Sequence, residues 1–349
     1  MFNIERLELA RKRRRFTARI LAERAGIAPV TLSRIVNRQQ VPDESTIEAL
    51  VSALGYARAF FEQDDFDPID PSAASFRSLT GMTARERDAA LAAGSLAFEV
   101  MDWVSERFTL PETDILDLGH ERNPVAAARM LRQHWAIGEK PIGNMIKLLE
   151  SKGARVFSLA EDTKNVDAFS CWRNNEPYIF LNTYKSSERS RFDAAHELAH
   201  LVLHRHGGPQ GRKAETEANN FASAFLMPQA DLMSVIPYVS SVDQIIQAKK
   251  RWGVAAVALA YRLNKLGLMT EWQYIQINRQ YRTSEPEGIP PERSTVWQMI
   301  LTDLWKDGQS RSHIAQQLLL PDEELENLLF GLVGDTTQPE RQTPTLRAV

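Results

Sequence analysis

Apolar positions recur along this chain with two different periods, and the switch between them outlines its parts. Near the N-terminus, Ala22, Ile27, Leu32 and Ile35 are placed to pack two short helices together. In the middle, Phe192, Ala195, Leu198, Ala199, Val202 and Leu203 follow a 3.6-residue period, which predicts a helix buried on a broad face. Helical stretches are also predicted over 83–108 (with Trp103 and Phe108), 124–135, 141–152, 241–251 and 254–266, with a helical pair over 311–330. Residues 153–183 read differently. Short runs at 155–159, 168–172 and 177–182 have the β-rich character of strands, and Asn174-Asn175-Glu176-Pro177 forms a turn before the last. The pattern predicts a mainly α protein with a small β-sheet, of the α+β class.

The N-terminal helices meet at Gly26, a residue suited to a tight turn, and the second opens near Pro29, which is tolerated in a first turn. Residues 1–60 hold eleven Lys and Arg against six acids, a net +5 in a chain whose total is −3, so the remainder carries −8. A basic end on an otherwise acidic chain points to nucleic acid. Leu21 to Val36 forms a helix-turn-helix, and over residues 3–58 it resembles the Xre/Cro type. That resemblance implies an all-α DNA-binding domain whose recognition helix runs over about 29–37. Pro29, Val30, Ser33, Arg34 and Asn37 would then face the major groove, with Arg19 and the Arg11–Arg15 cluster near phosphates. Arg34 and Asn37 alone carry chemistry suited to discriminating bases. The other use of such a motif is contact with protein only.

The middle helix carries His196-Glu197-Leu198-Ala199-His200. Residues four apart lie on one helix face, so His196 and His200 can grip one metal ion, with Glu197 placed to act as general base. Catalytic zinc takes three protein ligands. Glu215-Thr-Glu-Ala-Asn-Asn-Phe-Ala222 is the natural donor of the third. Glu215 shares a helix face with the small residues Ala218 and Ala222 and with Asn219, which could orient a ligand histidine. Glu217 points away from that face, reads as solvent-exposed and is the fallback ligand. His204 and His206 are candidate oxyanion donors, and more simply neighbours of the ligands or surface histidines.

This string, with Glu215-x-x-Ala-Asn-x-Phe-Ala222, Leu226-Met-Pro228, the lead-in Arg191–Ala195 and the strand Tyr178–Asn182, resembles the ImmA/IrrE family of zinc metallopeptidases over residues 141–270. The resemblance implies a gluzincin-like domain using Zn2+ that cuts a partner protein at one or few places. It also implies that residues 177–182 line the cleft and pair with extended substrate, a mode that reads peptide backbone.

The remaining stretches frame these two regions. Residues 1–62 are the DNA-binding domain, and the acidic, proline-bearing 63–75 is a linker. Residues 76–140 are a helical connector, 141–270 the peptidase, and 271–349 a helical C-terminal region with a frayed tail from Asp335. The acids of 311–330 favour docking or dimerisation over DNA contact. No apolar run approaches the ~20 residues a spanning helix needs, and a signal-peptide core is absent, so a cytoplasmic location without membrane contact is expected. The single Cys171 excludes an internal disulfide framework and reads as a small buried hydrophobe rather than a redox switch.

Two functions fit. One is a DNA-binding regulator with a zinc endopeptidase domain. The family's stress-response, prophage and mobile-element roles imply cleavage of a repressor, an antitoxin partner or itself under stress. The other is a non-proteolytic repressor or antitoxin whose metallopeptidase-like domain senses a ligand or binds a partner such as a toxin encoded next door. Both expect double-stranded operator DNA and, by analogy, a homodimer.

Overall fold

A computed structural model describes residues 2–71, 75–76, 82–159, 168–206, 211–286 and 288–334. The tail expected to fray, 335–349, lies outside the described residues.

Four helices open the chain: α1 (Ile4–Arg13), α2 (Ala18–Arg24), α3 (Pro29–Val36) and α4 (Glu44–Leu54), followed by a 3-10 turn at Arg58–Glu62. Thr17 caps α2 through the Ile20 amide at 3.2 Å, and Asp43 caps α4 through the Thr46 amide at 2.8 Å. Gly26, at φ 65°, makes the α2–α3 turn in the left-handed region that glycine enters without penalty. Of the four residues expected to pack these helices together, Ala22, Leu32 and Ile35 are buried and Ile27 is half-buried against the core, which Leu21 also joins.

The segment expected to be a linker is fastened down over its described part. Asn3 Nδ2 donates to the Gln63 carbonyl at 3.0 Å, and Arg6 Nε to the Asp64 carbonyl at 2.7 Å. Asp67 pairs with Arg173 at 2.7 Å. Of the acids that suggested a solvated linker, Asp67 is met by Arg173 and Asp65 accepts from Asn3 Nδ2 at 2.9 Å. Ile69 is buried against Gly94, where a Cβ would lie 2.3 Å from Ile69 Cδ1 and would push that side chain aside.

After β1 (Ser75–Phe76) comes α5 (Ala84–Ser105), opened by a capping box between Thr83 and Glu86. Expected as an amphipathic connector that packs on the peptidase, α5 is buried along most of its length. It packs on α1 at one side and on the sheet at the other, where Phe98 and Tyr178 meet edge-on at 4.7 Å. Then follow α6 (Pro124–His134), α7 (Met145–Ser151), β2 (Arg155–Ser158), β3 (Phe169–Arg173) and β4 (Glu176–Leu181). The sheet order is β1-β3-β4-β2, with β2 parallel to β4 and β3 antiparallel to β4 and β1. The strand expected to pair with substrate, β4, therefore has a neighbour on both edges and no edge to offer.

Two long helices lie beyond the sheet: α8 (Ser187–Leu203), capped by Ser186, and α9 (Arg212–Leu226). α8 packs against β3, β4 and α9. The remainder is helical: α10 (Gln229–Val235), α11 (Val242–Trp252), α12 (Ala256–Lys265), α13 (Glu271–Tyr281), α14 (Thr295–Lys306), α15 (Arg311–Gln317) and α16 (Asp322–Leu329). Glu150 of α7 caps α14, accepting from the Thr295 and Val296 amides at 2.9 and 3.2 Å and from the Ser294 hydroxyl. Burial pushes this carboxyl up, although those hydrogen bonds pull the other way.

The acidic α16 docks on the basic N-terminal domain. Glu324 accepts from Arg13 at 2.7 Å and from the Tyr56 hydroxyl at 3.0 Å, and Glu323 pairs with Arg14. Arg11 turns inward to Glu8 and the Phe16 carbonyl. Arg11, Arg13 and Arg14 of the cluster expected at DNA phosphates are thus engaged in internal contacts, Arg13 and Arg14 with acids of a helix about three hundred residues away. No helix among the described residues is long and apolar enough to cross a membrane.

Candidate metal centre and nucleic-acid interface

α8 and α9 bring three side chains to one point. His196 Nε2 lies 3.3 Å from Glu215 Oε2, His200 Nε2 lies 3.5 Å from Glu215 Oε1, and the two Nε2 atoms are 3.2 Å apart. The ligand atoms of this trio all fall within 4.8 Å of one another. Ala218 and Ala222 are fully buried on the same face of α9, and their small size lets α9 approach α8.

The far side of each ring is held. His196 Nδ1 lies 3.2 Å from Asn219 Oδ1. His200 Nδ1 lies 2.9 Å from His204 Nδ1, and His204 Nε2 lies 3.1 Å from Glu217 Oε2. Both imidazoles therefore present Nε2 inward, and the groups behind them set ring orientation. Burial pushes the Glu215 carboxyl up, but the hydrogen bonds and charges of His196 and His200 outweigh it and hold the group at about 2. Burial pushes the His204 imidazole down, against the pull of Glu217. Two imidazoles and one carboxylate with no thiolate is a donor set that suits catalytic zinc.

The structure places Glu215, and not Glu217, at the paired imidazoles. Glu217 is not the solvent-facing group its helical position suggested. It sits one layer out, as the partner of His204, because α9 runs alongside the end of α8. His206 is a surface residue paired with Asp117 at 2.9 Å. Glu217→Ala is expected to weaken zinc binding about 10–100-fold, since orienting partners have effects of that size. Competition against a chelator measures it, and an unchanged affinity would remove the His204–Glu217 pair from the site.

Glu197, next to His196 on α8, is 0 % exposed. Its carboxylate accepts from Ser170 Oγ of β3 at 2.7 Å. Sequence reasoning missed Ser170, since a lone serine in a strand carries no signal until the helix beneath it is placed. Ser170 lies on the α8 side of the sheet. Its neighbour Cys171 alternates to the opposite side, where it pairs in register with Tyr178. Burial first, and the Glu197 carboxylate second, push the Cys171 thiol up to about 12. Folding thus favours the thiol. That contribution is complete below the unfolded pKa of about 8.5 and fades as pH rises toward the folded value. Iodoacetamide at pH 8 is expected to leave Cys171 unlabelled until the protein is denatured; rapid labelling of the native chain would refute its inert role.

On the N-terminal domain, Arg19, Pro29, Val30, Ser33, Arg34 and Asn37 are all exposed. Asn37 Nδ2 donates to Ser33 Oγ at 3.3 Å. No ion pair engages Arg19 or Arg34 among the described residues, in contrast to Arg13 and Arg14.

Fold and cluster together define a helix-turn-helix protein with a metallopeptidase-like domain. Residues 5–59 are similar to the family model of a helix-turn-helix domain, and residues 149–264 to that of the IrrE N-terminal-like domain, peptidase family M78. No curated protein matches the chain.

Proposed function

We propose that the chain is a DNA-binding transcriptional regulator whose second domain is a zinc endopeptidase. It would act on a repressor, an antitoxin partner or itself in response to stress. The observation that carries the reading is the convergence of His196, His200 and Glu215, with Glu197 one residue along the same helix. Zinc bound there supplies a Lewis acid that polarises a scissile carbonyl and acidifies water. Glu197 accepts the proton of the attacking water and returns it to the leaving amine, while the Ser170 hydroxyl holds its carboxylate in position. Asn219 and His204 keep the imidazoles in register. On the DNA side, Arg34 and Asn37 read base edges from α3 and Arg19 contacts phosphate, with a homodimer on a palindromic operator. Arg34→Ala is expected to weaken operator binding by ~1–3 kcal/mol. A gel-shift series showing no change would move the recognition surface off α3.

One observation favours the non-proteolytic reading: His196 and Glu197 are both 0 % exposed, so the catalytic groups are covered. New protein N-termini separate the two. They are compared in source cells expressing wild type or Glu197→Gln, with and without DNA damage. A single partner-derived or self-derived terminus seen only with wild type supports the peptidase. No difference with zinc bound supports a repressor or antitoxin that uses this domain to bind a ligand or partner.

A further inference from the structure

We propose that the metallopeptidase-like part of the chain carries a second binding site, an arginine-lined cleft between α6, α9, α10 and α12 that takes a small phosphomonoester. The cleft shares no residue with the metal cluster, so the inference stands whether or not the domain cuts peptide.

Arg262 of α12 is 7 % exposed, and its Nε is buried without a hydrogen-bond partner. No carboxylate pairs with it among the described residues, and burial pushes its guanidinium down. Arg6, Arg155 and Arg191 are as deeply buried, yet each has an acid: Glu99, Glu176 and Glu292. A buried charge left without a partner is costly to keep. Arg262 lines a cleft of about 380 Å³, within the size range of small-molecule sites. Arg129 and Arg132, one turn apart on α6, line it too. Arg132 is also buried, but it donates to the carbonyls of Gly138, Lys140 and Phe225 and to no acid among the described residues. Those bonds fix its plane without neutralising it.

The nearby acids do not balance this charge. Asp231 is engaged by Arg251 at 2.6 Å and by the Trp252 indole at 2.8 Å. Glu139 is the one acid of the lining, and it is exposed. Three arginines against one glutamate leave the cleft at +2. Guanidinium forks match the oxygens of phosphate and carboxylate. A phosphomonoester carries about −1.5 to −2 at pH 7 and balances the cleft, whereas a lone carboxylate carries half of that. Val125, Ala224, Pro228 and Met233 make the rest of the wall largely apolar, and that surface receives the organic part of the ligand.

The test is calorimetric titration of the full chain with three probes at up to millimolar concentration: phenyl phosphate, inorganic phosphate and benzoate. Wild type is expected to bind phenyl phosphate most tightly, inorganic phosphate more weakly and benzoate least. Arg262→Met is expected to weaken phenyl phosphate by about tenfold or more, the effect of losing hydrogen bonds to a charged group. Its melting temperature without ligand is expected to hold or rise, because an unbalanced buried charge has been removed. Arg129 is exposed, so Arg129→Ala should fold in any case, and it is expected to weaken phenyl phosphate by about fivefold. It carries the test if Arg262→Met does not fold. Phosphate held elsewhere, on a zinc ion or on the DNA-binding face, would bind both variants as it binds wild type. That result would overturn the proposal, as would benzoate or inorganic phosphate binding as tightly as phenyl phosphate, or no binding by wild type.

Discussion

Glu197→Gln is expected to lower peptide cleavage by about 10²–10⁴ while zinc stoichiometry and operator affinity stay at wild-type values. The two side chains have nearly the same shape, so the Ser170 hydroxyl keeps an acceptor and α8 keeps its packing. The amide cannot take a proton from water, and proton transfer is the only role the reading gives this residue. His196, His200 and Glu215 are untouched, so metal content should not move. The exposed face of α3 belongs to a different domain, so gel shifts should not move either. Metal analysis, gel shifts and cleavage kinetics on one preparation measure all three. A residual rate within tenfold of wild type would show that another group is the base.

Lys249→Met is expected to destabilise the chain by ~3–5 kcal/mol, the usual result of removing one partner of a buried ion pair. Lys249 is 0 % exposed and lies 3.2 Å from Glu188 Oε1 and 2.9 Å from Glu285 Oε1. Without it, Glu188 at the start of α8 keeps only the Ile289 amide, at 3.0 Å, among these partners. Methionine fills similar space, so most of the loss comes from stranded carboxylates and little from a cavity. Arg58→Ala is the control. Its partners Glu44 and Glu62 are exposed, and such surface pairs contribute about 0–1 kcal/mol. Denaturant melts of both variants supply the comparison, and a Lys249→Met loss no larger than the control would place the buried triad outside the stabilising core. Glu188 lies in the first turn of α8, so a loosened α8 should also release zinc more readily.

Much of the candidate site was legible because it is local. Histidines four apart on a helix share a face in any fold, and Asn219 shares the face of Glu215 by the same rule. Gly26 and Pro29 mark the helix-turn-helix because a turn and a helix start are decided within a few residues. The strands at 155–158, 169–173 and 176–181 were legible from composition and turn residues.

Other features depend on residues far apart in the chain, and there local pattern failed. Glu217 looks solvated until α9 is laid along α8 and His204 meets it. Arg13 and Arg14 look like phosphate ligands until Glu323 and Glu324 arrive from the other end of the chain. Strand order is the plainest case, since nothing in Tyr178–Asn182 shows whether its edges are free.

The amino-acid sequence by itself determined the helix-turn-helix and the candidate cluster of His196, His200 and Glu215, because each rests on spacing within one helix or between adjacent ones. Only the tertiary structure decided which arginines face outward, that Ser170 holds Glu197, and that Ser75–Phe76 lies on β3. Those contacts join residues separated by dozens to hundreds of positions, and their geometry exists only once the sheet is ordered and the helices are packed.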